Sequence, residues 1–97
     1  MPKLNILILN GPNLNMLGVR EPGIYGDNSL LNLIAALKTK FPDVVISDHQ
    51  SNDEGELISL IQDFGMRYDG IVFNPGGFSH TSVAIRDAVS SVSARVI

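Results

Sequence analysis

The sequence predicts one α/β domain, a doubly wound parallel sheet with helices on both faces. Three observations predict it. Short apolar runs closed by turn residues alternate along the chain with stripes of apolar residues at helical spacing. The first run is apolar at nearly every position, as expected of a strand buried on both faces of a parallel sheet. The length of 97 residues, with 44% hydrophobic and 18% charged side chains, suits one packed core and excludes disorder as the main state.

Residues 3–10 (KLNILILN) run into Gly11-Pro12 and form the first expected strand. A long connection over 11–28 follows, carrying Gly11, Pro12, Gly18, Pro22, Gly23 and Gly26. Long loops are uncommon in compact domains and usually functional. Leu30, Leu33, Ile34 and Leu37 make a helical stripe, which Phe41-Pro42-Asp43 ends because the residue before a proline is pushed out of the helical region. Residues 44–47 read as the second strand. Ser51-x-x-Glu54 has capping-box spacing ahead of a second helix striped by Leu57, Leu60, Ile61 and Phe64. A third strand over 70–74, a third helix striped by Ile85, Ala88, Val89 and Val92, and a fourth strand over 94–97 complete the series. The order is strand-helix-strand-helix-strand-helix-strand, which favours parallel pairing.

Charge and composition narrow the function. Seven Lys plus Arg against ten Asp plus Glu give a net charge of −3, and no basic run exists to neutralise a phosphate backbone, so nucleic acid is not an expected partner. The absence of cysteine excludes disulfides, thiolate metal sites and cysteine nucleophiles, and two histidines make a histidine-rich zinc site improbable. No apolar stretch is long enough for a transmembrane helix and no signal peptide is evident, so the expected location is the cytoplasm.

In open α/β sheets ligands bind outside the carboxyl ends of the strands, and the polar residues collect there. After the first strand come Asn10, Asn13, Arg20, Glu21 and Tyr25; after the second, residues 48–54 (DHQSNDE); after the third, Asn74-Pro-Gly-Gly and then Ser79, His80, Thr81 and Ser82. The third segment combines a strand end, tight backbone turns with exposed N–H groups and a helix start, a setting that suits a carboxylate or a phosphate. The plainer alternative is a turn and an N-cap with an incidental histidine. Neither a Walker-type nor a dinucleotide-binding glycine pattern is present. Arg20 and Tyr25 share the Gly-rich loop, and a phenol with an ordinary pKa of about 10 becomes a useful base when a permanent cation stabilises the phenolate. The alternative is an ordinary loop arginine and a packed tyrosine. In a continuous third helix, His80 and Asp87 would fall on nearly one line opposite the apolar stripe, so that Asp87 would point away from the core, either to solvent or to a neighbouring subunit.

Taken together, ILNGPNLNMLGVREPGIYG, QSNDEGELISLIQ and GIVFNPGGFSHTSVAIRDAV resemble the type II 3-dehydroquinate dehydratases over essentially the whole chain. The resemblance implies a flavodoxin-like fold and a lyase that reversibly dehydrates 3-dehydroquinate to 3-dehydroshikimate in the shikimate or quinate pathways, with no metal and no organic cofactor. It also implies trimers assembling into a dodecamer. It places the proton-abstracting base at Tyr25, the cation that tunes it at Arg20, and the residue that positions a water near the enolate oxygen at Asn13. Asn74, His80 and Asp87 match substrate-binding positions, with Asp87 supplied across a subunit boundary. The family's general-acid histidine lies just beyond the strand that here reaches Ile97, so residues 1–97 are expected to form a single flavodoxin-like domain incomplete at its C-terminus. The alternative function is a catalytically silent ligand-binding or assembly protein of the same fold.

Overall fold

The computed structural model describes residues 3–16 and 30–97. Four strands, β1 (Leu4–Asn10), β2 (Val44–Gln50), β3 (Gly70–Asn74) and β4 (Arg95–Val96), form one parallel sheet in the order β2-β1-β3-β4. Helix α1 (Leu30–Lys40) precedes β2, α2 (Glu54–Arg67) joins β2 to β3, and α3 (Phe78–Thr81) and α4 (Val83–Ser91) join β3 to β4. This is the strand order of a flavodoxin-like doubly wound sheet, as expected.

Alternation along the strands sorts the side chains onto two faces. Leu7, Leu9 and Ile71 are fully buried with Leu57 and Ile61 of α2 and Ile85 and Ala88 of α4, so one face carries the main core. On the other face Ile6, Ile8, Val44, Ile46 and Val72 line an apolar cavity with Leu37 and Phe41 from the α1 side. Of the expected α1 stripe only Ile34 is buried, and Leu33 remains 42% exposed. The helices α2 and α4 approach closely where Gly65 meets Val92. Gly65 O also accepts hydrogen bonds from Ala94 N at 2.9 Å and Ser93 Oγ at 3.2 Å, tying α2 to the segment that leads into β4.

Three local expectations are corrected. The second strand runs on through Asp48, His49 and Gln50, paired with Ile8, Leu9 and Asn10 of β1, because backbone pairing with a central strand does not require apolar side chains on the outer partner. The N-cap of α2 is Asp53, whose side chain accepts from Gly55 N at 3.2 Å; Ser51 Oγ instead accepts from Asp53 N at 3.0 Å one turn earlier. The third helix is broken at Ser82, which takes extended backbone angles and caps α4 through Ser82 Oγ to Ile85 N at 3.0 Å. His80 and Asp87 therefore lie on separate helices and not on one line of a continuous helix, although Asp87 is exposed and lies away from buried Ile85 and Ala88 as expected.

Candidate functional site

The connection after β1 leads towards β2 on one side of it, while α2 carries the chain back across to β3 on the other. The crevice at the carboxyl ends of β1 and β3 is therefore the point where the winding reverses, and such points are where open α/β sheets bind ligands. The parallel register sets Gln50, Asn10 and Asn74 side by side as the last residues of three adjacent strands. Three amides thus cross the carboxyl edge on one face of the sheet.

The turns beyond that edge lock together through backbone. Gly11 N donates to Asn74 O at 2.7 Å, and Ser51 N donates to Asn10 O at 3.0 Å, which extends the ladder past the strand ends. A side chain at position 11 would place its Cβ 2.6 Å from Pro75 O, so only glycine lets the first and third turns come this close. Gly76 has φ +60°, and its N–H donates to Asn74 Oδ1 at 3.1 Å, which turns the chain sharply toward α3. Asn74 is thereby both a strand end and the acceptor that shapes the turn.

Asn13 stands on the neighbouring turn with φ 70°, a left-handed conformation that asparagine tolerates better than most residues. Its N–H donates to Asn52 Oδ1 at 3.0 Å. Gln50 Nε2 donates to the same Asn52 Oδ1 at 3.1 Å and to Gly11 O at 3.1 Å, and lies 3.4 Å from Asn15 Oδ1. The structure thus brings Asn13 and Asn74 to one edge of the sheet, with His80 following on the exposed side of α3. Among the described residues no hydrogen bond joins Asp87 to Asn13, Asn74 or His80, and Arg20 and Tyr25 lie outside the described residues. Sequence reasoning assigned no role to Gln50 and Asn52, whose advance signals were their place in the polar segment 48–54 at the end of the second strand and in the QSNDEGELISLIQ motif.

The described part of the site is lined by uncharged amides and backbone N–H groups, and no group of three or more His, Asp or Glu among the described residues is placed to hold a metal ion. Such a lining can hold hydroxyl groups and an ordered water by directional hydrogen bonds without fixing a charge of its own. A family model for class II dehydroquinases matches residues 4–97. The chain belongs to the class II dehydroquinase family. A dehydroquinase relative from Exiguobacterium, named 3-dehydroquinate dehydratase, is 50% identical over 95 residues, covering 97% of this chain and 65% of its own length. The catabolic 3-dehydroquinase 1 of Aspergillus terreus is 51% identical over 94 residues, covering 95% of this chain and 61% of its own. The crystal structure of a type II dehydroquinase from Butyrivibrio crossotus superposes with a TM-score of 0.86 at 43% identity, over 96% of this chain and 66% of that one. The chain therefore spans somewhat less than two thirds of the length of these curated dehydroquinase relatives. No helix among the described residues is long and apolar enough to cross a membrane.

Proposed function

We propose that the protein dehydrates 3-dehydroquinate to 3-dehydroshikimate by an enolate-type elimination. The observation that carries this reading is the 50% identity, across 97% of the chain, to a relative named 3-dehydroquinate dehydratase. Tyr25, as phenolate, removes a proton alpha to the substrate ketone; Arg20 stabilises that phenolate and the negative charge that develops. Asn13 positions a water near the enolate oxygen, so that charge is met by groups already in place. Asn74 and His80 bind substrate hydroxyls. The acid that protonates the departing hydroxyl is assigned to no residue of 1–97. The described geometry supports the reading in that Asn13, on the turn after β1, and Asn74, the last residue of β3, share the edge where the winding of the sheet reverses.

In the same reading the protein is a homo-oligomer built from trimers into a dodecamer, with Asp87 reaching a neighbour's site, which its exposed place on α4 supports. It works in the cytoplasm, and a chain without cysteine suits a reducing compartment. The test is Tyr25→Phe in the product of the complete reading frame, with dehydroshikimate formation followed by ultraviolet absorbance. A positioned general base contributes about 10²–10⁴-fold, so turnover should fall at least about a hundredfold while the far-ultraviolet circular dichroism stays unchanged. Retained turnover removes Tyr25 from the base role.

A further inference from the structure

We propose that Asn52, seated by Gln50, is a positioning residue that sets the orientation of Asn13 for the elimination. The inference rests on the dehydratase reading and on the role that reading gives Asn13. Asn13 is exposed and holds a left-handed backbone conformation at a turn, so the direction its side chain points follows from how that turn is held. The turn is held locally by Met16 N, which donates to Asn13 O at 3.1 Å, and across 39 positions of sequence by Asn13 N, which donates to Asn52 Oδ1 at 3.0 Å. Asn52 is itself exposed and needs a reason to present its oxygen rather than its amide nitrogen. Gln50 supplies that reason: its Nε2 donates to Asn52 Oδ1 at 3.1 Å, so both neighbours of that atom are donors. The second Nε2 hydrogen of Gln50 goes to Gly11 O at 3.1 Å, pinning the start of the same turn. Gln50 is in turn fixed by its strand, where it pairs with Asn10 at the end of β2. The end of β2 thus clamps the turn after β1 at residues 11 and 13, and the clamp touches Asn13 only through its backbone.

A clamp of this kind acts on the chemical step more than on binding, because a misdirected Asn13 leaves the substrate contacts of Asn74 and His80 in place. The experiment uses the product of the complete reading frame with Asn52→Ala, which removes the acceptor, and Asn52→Asp, which keeps it. The readouts are kcat and KM for 3-dehydroquinate and, without substrate, the hydrogen-exchange rate of the Asn13 amide by NMR. Loss of a hydrogen bond of ordinary net strength corresponds to about a tenfold change, so Asn52→Ala should speed Asn13 exchange about tenfold and lower kcat about tenfold with KM moved less than about threefold. Asn52→Asp should restore most of both. Gln50→Met, which keeps length and removes both donors, is the second arm and should lower kcat in the same direction with a similar KM. Wild-type turnover with an unchanged kcat in Asn52→Ala would overturn the positioning role alone. Equal losses in Asn52→Ala and Asn52→Asp would also overturn it. Absence of turnover in the wild type would overturn the dehydratase reading, and the positioning proposal with it.

Discussion

Gly65→Ala offers a sharp test of how α2 and α4 are packed, because two opposing effects of known size meet at one position. In an isolated helix the change stabilises by about 1 kcal/mol, since alanine has a higher helix propensity than glycine. Here the added Cβ would lie 2.6 Å from Val92 Cβ, 2.7 Å from Cγ1 and 2.8 Å from Cγ2, against 3.4 Å or more for an ordinary contact. Rotation about χ1 cannot relieve it, because the nearest atom is Val92 Cβ itself. The helix and the Val92 backbone must therefore part by about 0.8 Å. That movement stretches the 2.9 Å bond from Ala94 N to Gly65 O beyond useful length. Overpacking of this kind costs about 1–3 kcal/mol and a lost hydrogen bond about 1 kcal/mol, so after the helix gain the variant should be less stable by roughly 1–3 kcal/mol. For a domain of this size that lowers Tm by at least about 4 °C in a thermal melt followed by circular dichroism. The cost should shrink in a Val92→Ala background, where two of the three clashing carbons are gone. A Gly65→Ala melt at or above the wild-type Tm would show that the close approach does not constrain the fold.

Two further outcomes are expected. Ser82→Ala removes the cap of α4 from a buried position, and should cost about 1 kcal/mol in urea denaturation; an unchanged midpoint would mean that the cap contributes nothing. Asp63 accepts hydrogen bonds from Arg67 Nε and Nη2, each at 3.0 Å, and that hydrogen bonding, more than the charge attraction, holds its carboxyl below its ordinary pKa of 3.8. Since the folded pKa lies below the unfolded one, the pair's contribution to stability is present above the ordinary carboxylate range and is lost as pH falls through the depressed value. An NMR titration of the Asp63 carboxyl should give a midpoint under 3.8 in the wild type and a higher one in Arg67→Met, and equal midpoints in the two would contradict the assignment.

The sequence made the architecture readable where a strand is apolar along its length. β1 and β3 appear as apolar runs closed by turn residues, with Leu7, Leu9 and Ile71 buried under α2 and α4 on one face, while on the other Ile6 and Ile8 are half-buried and Val72 is exposed. The outer half of β2 was hidden, since Asp48 faces Lys38 of α1 at 3.1 Å and His49 is exposed against the Phe64 ring, so neither needed to be apolar. The break at Ser82 was hidden for a different reason: a serine inside a helical stripe and a serine capping a new helix carry the same local pattern. At the candidate site, the place of Asn13 and Asn74 at the carboxyl edge was legible because Asn74 closes an apolar run and Asn13 lies three residues past one. The part played by Gln50 and Asn52 depends on the register of β1 against β2, a tertiary fact that no spacing along the chain reports. Tyr25 and Arg20 were reached by chemistry and resemblance, and lie outside the described residues.

The position of β1 between β2 and β3 also has a consequence for how the chain comes to be folded. Leu4 pairs with Val44, and Ile6 pairs with Gly70, so β1 is made before both neighbours and waits for partners encoded 40 and 64 residues later. Such distant pairings make folding slow, because the entropy of closing long loops is lost before the contacts return any stabilisation. Throughout that wait the segment LNILILN is an uncharged, proline-free stretch of high β propensity. It is the kind of sequence that pairs with copies of itself when left exposed. The strand that organises the finished sheet is therefore also the segment a nascent chain most needs to keep from its neighbours.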